Sequence, residues 1–263
     1  MAGLAEQELI QAVRAFASDP EADELEAAVL VNRALEPSLD ADTLRGRIAE
    51  LAAACPETQT PWDYLRELGF VGNAANYDAL DNSRLDRLLD TRRGIPIALG
   101  VLLIEVARAS GRMAVGVNFP GHFLVRVGES LVDPFRMTQT SEDECVAGLG
   151  QARGNPGAGG DLFPSATAAA VLLRMLNNIK YRYAQAGEWH RSLDMVDLQL
   201  AAAGESAHLL LERGELWLRL GARGPARADL ERALALAGDG DPRLAAAARR
   251  LLDGLGSGPE LLH

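Results

Sequence analysis

The sequence predicts an α+β, mostly helical chain: a core of one buried helix on a small antiparallel sheet, followed by an α-solenoid of helical repeats. Three observations carry this. Residues Pro96 to Ala109 are apolar almost all round, as a helix enclosed by other elements must be. The apolar residues then alternate, first as Met113, Val115, Val117 and Phe119 and then as Phe123, Val125 and Val127, which is the period of strands. Beyond residue 166, Tyr183 and Trp217, Gly187 and Gly221, Ser192 and Ala226, and Leu200 and Leu234 recur 34 residues apart. The expected division is therefore 1–160 for a helical N-terminus plus the core, and 161–263 for the repeats.

Taken in order, the first 56 residues give three helices. Leu9, Ile10, Val13 and Phe16 form one apolar face, Leu25, Ala28, Val29 and Leu35 a second, and Leu44, Ile48, Leu51 and Cys55 a third. Thr60-Pro61-Trp62-Asp63 supplies an N-cap, a helix-start proline and a capping acid for a helix ending at Gly69. After Phe70-Val71-Gly72-Asn73, Asp81-Asn82-Ser83 caps a helix running to Arg93. Pro96 suits the first position of the buried helix, where its missing N–H has no partner to lose, and Gly111 stops that helix. The glycine-dense stretch Gly148 to Pro164 reads as a mobile loop or linker, and without Gly-Lys-Ser/Thr it does not cradle phosphate.

The strands have a definite register. Pro120-Gly121 joins the first two, and Gly128-Glu129, with glycine at the first central position, fits a type II′ turn into a third strand from Leu131 to Phe135. If Val127 pairs with Ser130, His122 falls opposite Phe135 and Asp133 opposite Leu124. His122 and Asp133 are then diagonal neighbours on one face, roughly 7–8 Å apart at the backbone, close enough for their side chains to meet. A histidine oriented by a carboxylate is the base half of a nucleophilic triad, whose nucleophile belongs at the N-terminus of the buried helix.

The run from Arg92 to Gly111, then Gly121-His122 and Asp133-Pro134, resembles the transglutaminase-like, papain-related superfamily. That pattern has a Gly-x-Cys opening a buried helix, an Arg and a Gly at its end, a Gly-His on a strand and an Asp-Pro on the next. Gly94, Arg108, Gly111, His122 and Asp133 match it, while Pro96 stands at the cysteine position. The resemblance implies the fold and the His122-Asp133 pair, with an acyl-transfer site that lacks its nucleophile. Gly69-Phe70-x-Gly72-Asn73, Arg93-Gly94-Ile95-Pro96-Ile97 and Asn118-Phe119-Pro120-Gly121-His122-Phe123 are similar to the SirB-type bacterial branch, which joins this core to tetratricopeptide repeats and in which proline is the usual residue there. The 34-residue period agrees with such repeats.

The net charge is −11, and the acidity is concentrated in residues 1–60, with 12 acidic and 4 basic residues. No segment has the basic excess that nucleic acid requires. Without an apolar run of about 18 residues or a signal segment, neither a membrane span nor secretion is expected, and a cytoplasmic location follows. With only Cys55 and Cys145 there is no disulfide framework, and neither a metal site nor a cofactor is implied. Cys55 lies on a core stripe, Cys145 is surrounded by Glu142, Asp143 and Glu144, and His190, His208 and His263 show no ligand spacing. The expected function is a non-catalytic pseudoenzyme that binds a protein or peptide through its cleft and repeats. The alternative is a cysteine-type acyl-transfer or peptidase enzyme that uses His122-Asp133 with an unusual nucleophile, Cys55 foremost.

Overall fold

The computed structural model describes residues 2–152, 161–238 and 240–256. Chain contacts divide the molecule into two units, Asp19–Met175 and a second built from Met1–Ser18 with Leu176–His263. The first helix, α1 (Ala2–Ser18), thus groups with the C-terminal helices, and the division falls at Met175 where the sequence suggested 160.

The Asp19–Met175 unit is assembled around one helix. Around it come α2 (Glu24–Leu35), α3 (Ala41–Ala53), α4 (Pro61–Glu67), the short strand β1 (Val71–Gly72), a 3₁₀ turn (Leu80–Ser83), α5 (Leu85–Thr91) and strand β2 (Arg93–Gly94), parallel to β1. The caps are local chemistry. The Asp23, Asp40 and Thr60 side chains accept from backbone N–H groups of the first turns of α2, α3 and α4, which otherwise lack partners. Asn32, fully buried in α2, donates to the Ala28 carbonyl at 2.7 Å and accepts from the Leu85 N–H at 2.7 Å, so it caps α5 from a distance in sequence. The helix expected after Asp81-Asn82-Ser83 is α5, which ends at Thr91 and not at Arg93, and those three residues form the 3₁₀ turn before it and do not cap it with a side chain.

The central helix α6 (Pro96–Ala109) starts with Pro96 in its first turn, as expected, and Ile97 through Ile104 are buried without interruption. It packs on α2, α3, α4, α5 and the sheet. Gly111, at φ +74°, ends it with the Arg112 N–H on the Ala107 carbonyl at 3.0 Å.

The sheet has the order β3 (Ala114–Phe119), β4 (His122–Val127), β5 (Ser130–Asp133), β6 (Thr138–Thr140), all antiparallel. Phe119 pairs with His122 and Val127 with Ser130, the register the turns imply. Gly128 has φ +55° while Glu129 is not left-handed, consistent with glycine at the first position of a II′ turn. Strand β6 leaves no mark in the sequence, because Thr-Gln-Thr carries no apolar alternation. Both faces of the sheet are covered, so Ala114 is buried while Met113 lies outside the strand and is exposed. The face bearing Phe123 and Val125 rests on α6 at Gly100, where an added Cβ would lie 2.6 Å from the Phe123 ring. Gly116 of β3 meets the same ring at 2.6 Å, so two glycines form the slot that holds Phe123.

Helix α7 (Glu142–Ala152) continues through Gly148 and Gly150, which corrects the loop reading for that part of the glycine-dense stretch; residues 153–160 lie outside the described residues. Residues 164–166 then run beside β3, with the Asn118 N–H on the Pro164 carbonyl at 2.9 Å and the Ala166 N–H on the Gly116 carbonyl at 2.8 Å, and lead into α8 (Ala168–Gln185).

In the second unit α9 (Trp189–Ala203), α10 (Ala207–Arg219), α11 (Arg223–Ala237) and α12 (Pro242–Leu255) pack successively, and α1 lies on α9. The backbone keeps the 34-residue period: Gly187 and Gly221, at φ +75° each, precede α9 and α11, and Gly204 and Gly238, both left-handed, follow them. Trp217 and Leu220 pack against Leu193, Val196 and Leu216. Arg213 of α10 donates to Asp197 of α9 at 2.7 Å and to both Asp229 oxygens of α11 at 2.7 Å, so one guanidinium joins three helices.

Candidate functional site

The start of α6 is held by backbone and amide groups. The Ile95 N–H donates to the Asn82 carbonyl at 3.0 Å, and the Asn73 N–H to the Gly94 carbonyl at 3.1 Å. The buried Asn82 side chain donates to the carbonyls of Asn76 at 2.6 Å and Tyr77 at 3.1 Å and accepts from Asn73 Nδ2 at 2.9 Å. Gly72 is required by contact: its N–H donates to the Phe135 carbonyl at 2.7 Å, and a Cβ there would sit 2.1 Å from the Phe135 ring. Tyr77 closes over that ring at 5.9 Å between centroids. The Gly-Asn and Asp-Pro-Phe segments read from the sequence therefore build one wall beside β1 and β2.

His122 and Asp133 occupy the positions their register dictates, yet they are not hydrogen-bonded among the described residues. Asp133 Oδ1 accepts the Phe135 N–H at 2.8 Å and Oδ2 pairs with Arg136 at 3.0 Å, so neighbours three residues away or fewer have taken the carboxylate. This corrects the expectation of a direct His122-Asp133 contact. His122 is exposed, its ring 6.1 Å from that of Phe119. Strand alternation also decides which way it faces. Phe123 and Val125 face α6, so His122 and Leu124 face the other side, where Val117, Phe119, Leu124 and Leu131 are covered by Cys145, Leu162 and Phe163. Pro96 lies in the first turn of α6, the helix packed on the opposite face.

Neither thiol completes a site. Cys55 ends the buried stripe of α3 with its Sγ 3.8 Å from the Pro56 carbonyl, and burial raises its pKa against the nearby Arg112 charge. Cys145 shares the outer sheet face with His122, which the sequence did not reveal; burial raises its pKa too, and the Asp133, Glu144 and Glu142 charges add to this despite its contact with Thr140 at 3.8 Å. His190 and His208 are exposed, His208 3.5 Å from Asp241, and His263 lies outside the described residues. Among the described residues no group of His, Cys, Asp and Glu is arranged to hold a metal ion.

Two ionisable groups in this unit escaped the sequence reading. Glu105 of α6 has one oxygen buried without a hydrogen bond, and burial together with Asp23, Glu24 and Glu26 pushes its pKa up to about 7, against the pull of Arg108 at 3.6 Å. Arg108 is itself held 2.8 Å from the buried Glu24. Arg174 of α8 stands in the apolar run Val171-Leu172-Leu173-Arg174-Met175-Leu176, a signal that was readable. Its guanidinium lies 5.7 Å from the Phe123 ring centroid, and burial lowers its pKa.

A helix buried on an antiparallel sheet, with Gly94, His122 and Asp133 at these places, defines a class of fold, and the comparisons agree with it. A model described as transglutaminase-like superfamily matches residues 37–177. A UPF0162 protein of Xylella fastidiosa is 34% identical over 238 residues, spanning 81% of this chain and 83% of its own. Protein SirB1 of Salmonella typhimurium is 25% identical over 173 residues, 62% of this chain and 63% of that one. F-box only protein 21 of Homo sapiens is 30% identical over 171 residues, 59% of this chain and 26% of its own. The chain belongs to the transglutaminase-like superfamily, with the UPF0162 proteins among its relatives. No solved structure matches it. None of the described helices is long and apolar enough to cross a membrane.

Proposed function

We propose that this chain is a non-catalytic, transglutaminase-like binding protein of the cytoplasm. Its α6 cleft and a tetratricopeptide-like array of α8 to α12 take a protein or peptide partner, without metal, cofactor or nucleic acid. The observation that supports this is one of facing. His122 lies on the sheet face turned away from α6, Asp133 is already engaged by Phe135 and Arg136, and Pro96 at the helix start has neither nucleophile nor N–H. Lysyl and glutaminyl peptides supplied to the purified full chain should release no ammonia and form no cross-link. Robust turnover abolished by His122→Ala, or by Cys145→Ser or Cys55→Ser, would replace this reading with the acyl-transfer one. For the binding half, a photo-reactive phenylalanine at exposed Tyr181 should give discrete protein adducts; none would count against the array as a docking surface.

A further inference from the structure

Arg174 is a cation without a counter-charge. Two other buried guanidiniums are answered: Arg84 by Asp86 at 2.7 Å, and Arg213 by Asp197 and Asp229. Arg174 has no carboxylate partner among the described residues, and burial lowers its pKa, with only the Tyr77 phenol nearby to oppose that. Its one hydrogen bond among the described residues runs from Nη1 to Asn118 Oδ1 at 3.3 Å. Asn118 and Phe123 are cross-strand partners, so they stand side by side on the α6 face of the sheet, and Arg174 spans both.

The chemistry of this cluster is one-sided. A guanidinium carries five N–H donors and no acceptor, and only one is engaged by Asn118. Because Asn118 gives its oxygen to Arg174, its amide NH₂ is left as a donor and makes no hydrogen bond among the described residues. Phe123 cannot shift, since Gly100 and Gly116 enclose its ring, and its π face supports the cation. Donors and positive charge thus converge above an apolar ring, and among the described residues only Asn118 Oδ1 accepts from them. A methionine would fill the same space without withdrawing a charge from water.

We propose that Arg174 and the Asn118 amide, above Phe123, form a receptor for a single carboxylate. One guanidinium fork matches the two oxygens and single charge of a carboxylate, whereas a phosphate near two negative charges calls for a second cation, and none is paired with this cluster among the described residues. The carboxylate is that of an acidic side chain or of a peptide C-terminus. The receptor rests on its own geometry. It deepens the binding reading by naming a group the protein takes, yet an enzyme would bind the same group, so its failure and that of the non-catalytic reading are read in different assays.

The test is calorimetric titration of the full chain at fixed ionic strength with four probes. These are N-acetyl-trialanine with a free C-terminus, N-acetyl-Ala-Glu-Ala-amide, its glutamine counterpart, and inorganic phosphate. Saturable binding of at least one carboxylate peptide, at least tenfold tighter than the glutamine peptide and phosphate, is expected, and the peptide that binds identifies the source. Arg174→Met should weaken it at least tenfold. Asn118→Asp, which places a fixed carboxylate beside Arg174, should do the same while raising the melting temperature, and it serves if Arg174→Met does not fold. Absence of binding by both carboxylate peptides, equal binding by glutamine or phosphate, or binding unchanged in either folded variant overturns the proposal.

Discussion

Arg213 in the helical unit and Arg174 in the Asp19–Met175 unit are both withdrawn from water, but only Arg213 has carboxylates to answer it. Arg213 holds three helices together through two aspartates, and the charges are answered where they lie. In the other unit Arg174 meets an amide and a ring, and Glu105 keeps an oxygen with no hydrogen bond. Compensated charge in a packed interior is architecture; uncompensated charge lowers stability and is retained for something the fold alone does not require. The difference is between two residues and not between two units, since Arg84 with Asp86 and Arg108 with Glu24 are paired in the Asp19–Met175 unit as well.

The sharpest way to break this contrast is Arg213→Ala, which strands Asp197 and Asp229. It should cost about 3 kcal/mol in denaturant unfolding, since removing one partner leaves buried charge behind. Loss below about 1 kcal/mol would show that the aspartates find water and that the network is incidental.

Next in size is Gly100→Ala, whose methyl enters the Phe123 slot at 2.6 Å and should cost about 2 kcal/mol. Combined with Phe123→Leu, the cost should be less than the sum of the two single changes, because a smaller side chain makes room for the methyl. Additive losses would mean that the glycine serves backbone conformation alone.

Glu105 gives the pH dependence. Its folded pKa of about 7 lies above the ordinary value of 4.5, so the folded state favours the protonated acid. Its contribution is fully present below about pH 4.5 and is lost as pH rises through about 7. Glu105→Gln should therefore raise stability at pH 8 by about 2 kcal/mol and change little at pH 4.5. An equal gain at both values would remove the ionisation from the account. Smallest is Arg174→Met, expected to stabilise by about 1 kcal/mol, as replacing an unanswered charge with an apolar group of similar size does. Destabilisation by that amount would make Arg174 structural.

Much of this core was legible because short-range rules acted alone. Pro96 and Gly111 mark α6, and the Pro120-Gly121 and Gly128-Glu129 turns fix the register that places His122 beside Phe119. The 34-residue recurrence appears in the left-handed glycines around α9 and α11. What stayed hidden depended on competition between partners. The register brings Asp133 to the same face as His122, but the Phe135 N–H and Arg136 take its carboxylate. Strand β6 has only polar residues, and α7 passes through glycines that composition assigned to a loop. The grouping of α1 with α9 is a tertiary choice among equally apolar helix faces.

The claim at the centre is that His122 and the start of α6 lie on opposite sides of the sheet. Pro96→Cys places a thiol in the first turn, where the unpaired N–H groups and the helix dipole favour the thiolate, and a helix-start proline is replaceable. Its rate of alkylation by a chloroacetamide, measured with and without His122→Ala in a Cys55→Ser, Cys145→Ser background, should agree within about twofold. A tenfold or greater fall on removal of His122 would put the imidazole on the α6 side and contradict the account.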